Sequence, residues 1–346
     1  MRIAYILPSL AAKAPIFLAK FLSDFFIQKG NYVEVFYFDE INQVSFNCRT
    51  SRISISEPIM FDDFQIIHTH MMRPDKYVFK YSNYIKKAKL VSTIHCNIFD
   101  DLRWSYGRFV SFIYSRKWLN YLSCFDSTVQ INDYLMDLYK EKLNNNVLIY
   151  NGISLQSVKD DYSEIISNVN KFKEQNLTVL CSYSGLVKRK GLIQVLKLLK
   201  KRSDLAYVCI GDGKEKKSLM KYVEKNNLGN RVVFSSFKRN PYLVLPNIDI
   251  FVMPSYSEGF SLALLEAGLV GCSAVCSNIP AVTMPFSDSE ITFFELNNIT
   301  SFSDAITVAL TEKEKKKKKL KKEIEENYSI SLMCEQYEKL YQSLIK

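Results

Sequence analysis

Short apolar runs separated by longer amphipathic stretches recur along the whole chain. The first half contains "RIAYILPS", "YVEVFYF", "QIIHTH", "KLVSTIH", "STVQIN" and "NVLIYNG"; after "YNGIS" a second series follows with "TVLCSYSG", "AYVCIGDG", "RVVFSSF", "IDIFVMPS", "SAVCSNIP" and "ITFFEL". Near-continuous β-branched and aromatic runs belong to strands buried on both faces rather than on one. Parallel neighbours need a crossover between them, and the helical stretches supply it. This pattern predicts an α/β chain built of two doubly wound parallel-sheet domains in series.

A chain of 346 residues accommodates two domains of ordinary size. The polar segment "LQSVKDDYSEIISNVNKFKEQ" reads as a linker followed by a surface helix, so residues 1–155 form the first domain and 156–328 the second. The closing "SLMCEQYEKLYQSLIK" places Leu332, Tyr337, Leu340, Tyr341 and Leu344 along one side of a helix. Such a stripe needs an apolar surface to cover, and residues 329–346 are expected to pack back on the first domain. Ligands of open α/β sheets bind beyond the carboxyl ends of the strands, which makes a central cleft the expected site.

Several classes of function are excluded by composition. The eight cysteines are scattered without a C-x-x-C pair, and only three histidines are present, so a zinc site is not expected. Their apolar surroundings are those of reduced core thiols in a cytosolic protein. No run of 18 apolar residues is present to span a membrane. "MRIAYILPSLAAKAP" is interrupted by Pro8 and Lys13 and reads as a first strand rather than a secretory signal. The net charge of +10 is concentrated partly in 77–90 and 101–122, where Lys80, Lys86, Lys87, Lys89, Arg103, Arg108, Arg116 and Lys117 alternate with aromatic residues. That mixture suits an anionic membrane surface. The run "EKEKKKKKLKKEIEE" reads as a solvated helix, and no nucleic-acid-binding motif accompanies the charge.

Chemistry concentrates in "IDIFVMPSYSEGFSLALLEAG": a buried strand, a loop and a helix, with Glu258 and Glu266 eight positions apart. Backbone N–H groups at the helix start, near Phe260 to Leu262, would hold an anion such as a phosphate. Glu266, read as about two turns in on the side of Leu262, Leu265 and Leu269, needs hydrogen-bond donors in that apolar setting. A ribose diol supplies two, which fits a nucleotide lying across the helix start.

This segment resembles the E-x7-E motif of family-four retaining glycosyltransferases, whose GT-B fold pairs two Rossmann-like domains facing a central cleft. Other blocks agree in order: "YNGIS" is similar to the family's NG(I/V)D stretch, "YSGLVKRKGLIQVL" to its GRL-x-x-x-KG block, and "VCIGDGKEKKSL" to GDGP-x-x-x-x-L. The resemblance covers most of 145–285 and, loosely, the first 130 residues. It implies that Glu266 binds the donor ribose and Glu258 the hydroxyls of the transferred sugar, with Gly259, Phe260, Ser261 and Leu262 at the helix start facing diphosphate and sugar. Lys190, with Arg189 beside it, would neutralise the departing diphosphate. Gly211 and Gly213 would let backbone approach the nucleotide. The sequence departs from the pattern at Gly185, where the family has arginine, at "SLAAKAP" in place of a glycine pair, at Ser154, and at "NIPAVTMPF" in place of GG-x-x-E.

In the first domain the resemblance places His95 in the cleft, hydrogen-bonded to the donor sugar. His68 and His70 end another strand, and one is expected toward the cleft and the other toward the core. No carboxylate or cysteine cluster completes a metal site around them, and no D-x-D triplet occurs, so neither a metal nor another cofactor is expected. The expected activity is transfer of a hexose or N-acetylhexosamine, with retention, from a nucleotide-diphosphate sugar (UDP above others) to a glycan or lipid-linked glycan. The setting is bacterial surface polysaccharide synthesis, with the enzyme cytoplasmic and peripheral at the inner membrane face. Two other readings share the architecture: a sugar-nucleotide 2-epimerase, which would turn over without acceptor, and a non-catalytic nucleotide-sugar-binding protein, which would bind UDP without turnover.

Overall fold

A computed structural model describes residues 1–155, 161–238 and 240–346. The linker expected around 156–160 lies outside the described residues. Two compact units emerge: Met1–Gly152 with Ser329–Lys346, and Ile153–Tyr328.

The first unit runs β1 (Arg2–Leu10), α1 (Ala14–Gln28), β2 (Tyr32–Asn42), β3 (Arg49–Arg52), β4 (Ile66–His70), α2 (Met72–Tyr81), β5 (Lys89–Ile94), α3 (Ile98–Tyr106), α4 (Arg108–Leu122), β6 (Ser127–Gln130), α5 (Asp133–Tyr139) and β7 (Asn146–Leu148). Its seven strands are parallel, in the order β3-β2-β1-β4-β5-β6-β7. β3 carries "RTSR", with no apolar run, which is why the strand pattern does not reveal it. Asp75 on α2 accepts from Thr69 and Ser92 of the sheet and from the Trp118 indole of α4, at 2.5, 2.8 and 2.7 Å. Burial pushes this carboxyl up to about 6 against the pull of those three donors.

The second unit runs α6 (Ser163–Glu174), β8 (Thr178–Tyr183), α7 (Ile193–Lys201), β9 (Leu205–Ile210), α8 (Lys216–Lys225), β10 (Val232–Ser235), β11 (Ile250–Met253), α9 (Leu262–Leu269), β12 (Ser273–Ser277), α10 (Pro280–Thr283), β13 (Thr292–Phe294), α11 (Ile299–Thr311) and α12 (Lys313–Asn327). Its six strands are also parallel, in the order β10-β9-β8-β11-β12-β13. The solvated reading of 312–326 needs correction. α12 keeps its charged faces in water but buries Lys316, Leu320 and Ile324 on one side. Gly268 of α9 lets the two helices meet, since a Cβ there would strike the Ile324 and Leu320 side chains. The Lys316 ammonium reaches the carbonyls of Asp288 and Ile291, at 2.6 and 3.3 Å.

The last helix, α13 (Ile330–Ile345), buries Met333, Cys334, Tyr337, Leu340 and Tyr341 in the core of the first unit, alongside Tyr5, Phe26 and Ile66. The Tyr341 ring stacks on Phe26 with centroids 5.0 Å apart. Gly152 sits where the chain passes the start of α13, and a Cβ there would collide with the Ser329 carbonyl.

Candidate active site

Each sheet reverses its winding once: between β1 and β4 in the first unit, and between β8 and β11 in the second. Chain crossovers run away from each other at such points and leave a crevice past the strand ends. In the second unit this crevice is a small pocket lined by Tyr183 and Ser184 after β8, Pro254 and Ser255 after β11, Lys190, and Ser261 and Ala263 at the start of α9.

Two loops build it. After β8, Lys188–Lys190 make a single tight turn that ends at Gly191, with φ of 62°. A Cβ at Gly191 would enter the Pro254 carbonyl, so only glycine lets this turn lie against the loop after β11. Gln194 donates to the same carbonyl at 2.9 Å, and the Tyr256 amide donates to the Arg189 carbonyl at 2.8 Å. Ser277 braces the other side through the Ser255 carbonyl, at 2.5 Å. Sequence reasoning missed Gly191, Gln194 and Ser277, because each acts through the backbone of a neighbouring loop, and it missed the role of Ser255, whose partner Glu258 is met only in the folded loop.

At the junction Lys190 donates to both oxygens of Glu258, at 2.6 and 2.9 Å, and Ser255 donates to one of them at 2.6 Å. Arg189 stands 3.6 Å from the same carboxylate and donates to the Ser257 carbonyl at 2.6 Å. Burial would raise the Glu258 carboxyl. The charges of Lys190 and Arg189 and the Lys190 and Ser255 hydrogen bonds outweigh it and hold the carboxyl below its ordinary value. The Glu258 side chain is only 6% exposed, against 19% for Lys190 and 22% for Arg189. The two cations therefore form the accessible surface, and Glu258 lies behind them.

α9 starts at Leu262 with Ser261 as its N-cap, whose side chain accepts from the Leu264 amide. Glu258 thus lies in the preceding loop. Glu266 lies little more than one turn into the helix, not two, because the helix begins after the loop rather than at Gly259. Tyr183 donates to Glu266 at 2.8 Å, and burial pushes this carboxyl up to about 7 in spite of that bond. No other hydrogen bond to the Glu266 carboxylate is found among the described residues. Phe260 turns its ring into a cluster with Phe286 and Tyr328, leaving its backbone at the helix mouth. Gly211 and Gly213, with φ of 150° and 158°, sit where a Cβ would hit the carbonyls of Ser184 and Leu186. Their close approach is to the chain's own loop after β8, which carries Gly185 and leads to Lys190.

The first unit holds the histidines. His68 and His70 do not divide between core and cleft. Residues two apart on a strand share a face, and both are fully buried with ring centroids 4.3 Å apart. His68 joins Tyr341 of α13 and Thr93, at 2.6 and 2.8 Å. His70 Nδ1 lies 2.8 Å from His95 Nε2, and its own Nε2 is buried without a partner among the described residues. Burial drives His95 down to about 3, and His68 and His70 lie well below their ordinary value for the same reason, helped by their neighbouring histidines. His95 is the partly exposed member, just past the end of β5.

Two doubly wound parallel-sheet units, with a capped helix start and paired cations at the switch point of the second, have the architecture of GT-B glycosyltransferases. Residues 163–327 match the family described as glycosyl transferases group 1. The chain is 30% identical over its whole length, and 99% of the other's, to the O-antigen biosynthesis glycosyltransferase WclY of Escherichia coli. It is 31% identical, over 38% of its length and 34% of the other's, to N-acetylgalactosamine-N,N'-diacetylbacillosaminyl-diphospho-undecaprenol 4-alpha-N-acetylgalactosaminyltransferase of Campylobacter jejuni. Among solved structures, Anabaena HepE in complex with UDP and glucose superimposes with a TM-score of 0.81 at 14% identity, covering 99% of this chain and all of that one. The chain belongs to the group 1 glycosyltransferase family and is a glycosyltransferase.

Proposed function

We propose that the protein transfers a hexose or N-acetylhexosamine from UDP-sugar to a lipid-linked glycan, with retention at the anomeric carbon and without a metal or other cofactor. The observation that carries this reading is the Lys190–Glu258 pair beside the α9 start. It sets two cations and a helix dipole where a diphosphate leaving group develops charge. In this reading Lys190 and Arg189 neutralise the distal phosphate. The amides around Ser261 and Leu262 hold its oxygens, and Gly259 and Phe260 offer backbone to the sugar. Glu266 takes the two ribose hydroxyls as donors. Glu258 faces the sugar from behind Lys190, and Gly211 and Gly213 shape the loop beside the nucleotide. His95 donates to the sugar from the first unit.

Retention follows if the departing phosphate itself accepts the acceptor's proton and the acceptor oxygen attacks from the same face. The protein then supplies position and charge rather than a carboxylate pair. The similarity to an O-antigen enzyme and to one acting on a diphospho-undecaprenol substrate supports surface polysaccharide synthesis (lipopolysaccharide, O-antigen or capsule). No helix among the described residues is long and apolar enough to cross a membrane. The basic, aromatic segments 77–90 and 101–122 support a peripheral position at an anionic membrane surface on the cytoplasmic face, and the eight free thiols suit that compartment.

The test is a thermal-shift screen of nucleotide sugars on the native protein, Glu266→Ala and Lys190→Ala. The screen is followed by NMR of the product anomer with a diphospho-undecaprenol-linked acceptor in the presence of EDTA. Stabilisation by a UDP-sugar that both substitutions weaken, and a product that keeps the donor's anomeric configuration, are expected. Unchanged stabilisation in both variants would overturn the site.

A further inference from the structure

The corner between α3 and α4 carries chemistry that the donor site leaves unused. The two helices fold back on each other at Gly107, whose φ is 87°. Along α4, Arg108, Phe112 and Arg116 follow one another at intervals of four, and Arg103 of α3 faces them across the turn; together with Phe99, Ser111 and Ser115 they line one groove. Within it the Ser111 hydroxyl donates to the Phe99 carbonyl at 2.7 Å. All three arginines are exposed, and none is in an ion pair among the described residues. The Arg116 guanidinium lies 3.6 Å over the Phe112 ring, a cation–π contact that holds it beside the groove. Around this cluster Tyr106, Phe109 and Phe112 are 68%, 78% and 61% exposed.

Guanidinium forks match the oxygens of phosphates, and three of them unpaired in one groove call for an anion of more than one charge. Exposed aromatic rings beside them suit the boundary between headgroups and acyl chains. A soluble nucleotide has no use for that apolar rim. A scattered lysine surface would suffice for anionic lipids alone. We propose that the α3–α4 groove is the subsite for the diphosphate of a lipid-linked acceptor, with Arg103, Arg108 and Arg116 holding the phosphates and Tyr106, Phe109 and Phe112 entering the interface where its chain is anchored. This rests on the lipid-linked acceptor proposed above and adds the place where its head is held.

The experiment is co-sedimentation with phosphatidylcholine vesicles doped with undecaprenyl diphosphate, compared with vesicles doped with phosphatidylglycerol to the same charge. The native protein should bind the first about tenfold more tightly, with both lost as salt rises. Arg103→Gln/Arg108→Gln/Arg116→Gln should abolish that preference while leaving most of the phosphatidylglycerol binding, and its melting temperature should stay that of the native protein. Phe109→Ser/Phe112→Ser should weaken both vesicle types together. Equal binding of the two charge-matched vesicles, or a triple variant that keeps the preference, would overturn the subsite. Arg108→Glu alone repeats the test with a single change. Sedimentation needs no donor, so an enzyme that fails to transfer would still report on the groove. Conversely, donor turnover with no vesicle preference would refute the groove and spare the transferase.

Discussion

Lys190 holds both carboxylate oxygens of Glu258, at 2.6 and 2.9 Å, and screens it from solvent. Breaking a buried pair from one side strands the other charge. Lys190→Met should therefore cost about 3 kcal/mol of stability, since Glu258 would keep only the Ser255 hydroxyl and, 3.6 Å away, the charge of Arg189. Glu258→Gln should cost about 1 kcal/mol, because Lys190 can turn to water. The double variant should regain most of the loss yet stay inactive, since the diphosphate would still lack its lysine. Thermal unfolding and donor turnover decide the matter, and a Lys190→Met protein as stable as the native one would refute the pairing.

The same pair sets a pH dependence. The Glu258 carboxyl is held below its ordinary value when folded, so its stabilisation is complete above that value and lost as pH falls through the lowered one. Native stability should drop on acidification below about 4, and Glu258→Gln should flatten that part of the curve.

Glu266 works in the opposite sense. Its folded carboxyl titrates at about 7 and its ordinary value is 4.5, so the folded state binds the extra proton between these limits and its stability falls as pH rises across them. Ribose hydroxyls donating to the carboxylate would favour the charged form. UDP binding near neutral pH should then release part of a proton, read by calorimetry in buffers of different ionisation enthalpy. Glu266→Gln should remove the release. Proton uptake in the native protein would contradict the assignment of ribose to Glu266.

The sheet architecture was legible because parallel strands buried on both faces leave continuous apolar runs, and twelve of the thirteen strands carry one. The exception is the edge strand β3, whose polar "RTSR" pairs only with β2. At the site, Glu258 and Glu266 were visible as charges beside apolar residues, whereas Lys190, in the basic run 188–190, stood out only through the resemblance of its block to the family pattern. What was not legible was their mutual arrangement. Lys190 and Glu258 are distant in sequence, and their loops are joined by the close approach of Gly191 to the Pro254 carbonyl and by backbone-directed bonds from Gln194, Tyr256 and Arg189. The histidines show a misreading as well: residues two apart share a face, so His68 and His70 do not divide between cleft and core as expected, and only the fold brings His95 and α13 to them.

The three histidines should be neutral far below their ordinary range, because burial disfavours their charged forms. The folded state then resists protonation that the unfolded chain accepts, so stability falls as pH drops below 6.5. If His95 donated to His70, a proton on His70 Nε2 would be buried without an acceptor. An orphaned donor is rarer than an orphaned lone pair. His70 therefore donates through Nδ1 to His95 Nε2, which leaves the proton of the neutral His95 ring on Nδ1. With only three histidines, ring 15N spectra resolve each one. They should show no titration between pH 8 and about 5 and an Nδ1-protonated His95. His70→Asn, which can still donate, should preserve that tautomer where His70→Phe does not.

Gly213 gives the last prediction. Its φ of 158° and the Leu186 backbone leave no room for a Cβ, and the Glu215 amide accepts this arrangement by donating to the Leu186 carbonyl at 2.9 Å. Gly213→Ala must push the loop after β8 away from that after β9, at a cost of about 2 kcal/mol or more. The displaced loop carries Lys190, so UDP affinity should fall together with stability. Gly229→Ala is the control: a Cβ there meets nothing within 4 Å, and both properties should stay near native. Urea unfolding and UDP titration on the two variants separate the cases. An unchanged UDP affinity in a destabilised Gly213→Ala protein would show that Lys190 holds its place through Glu258 alone.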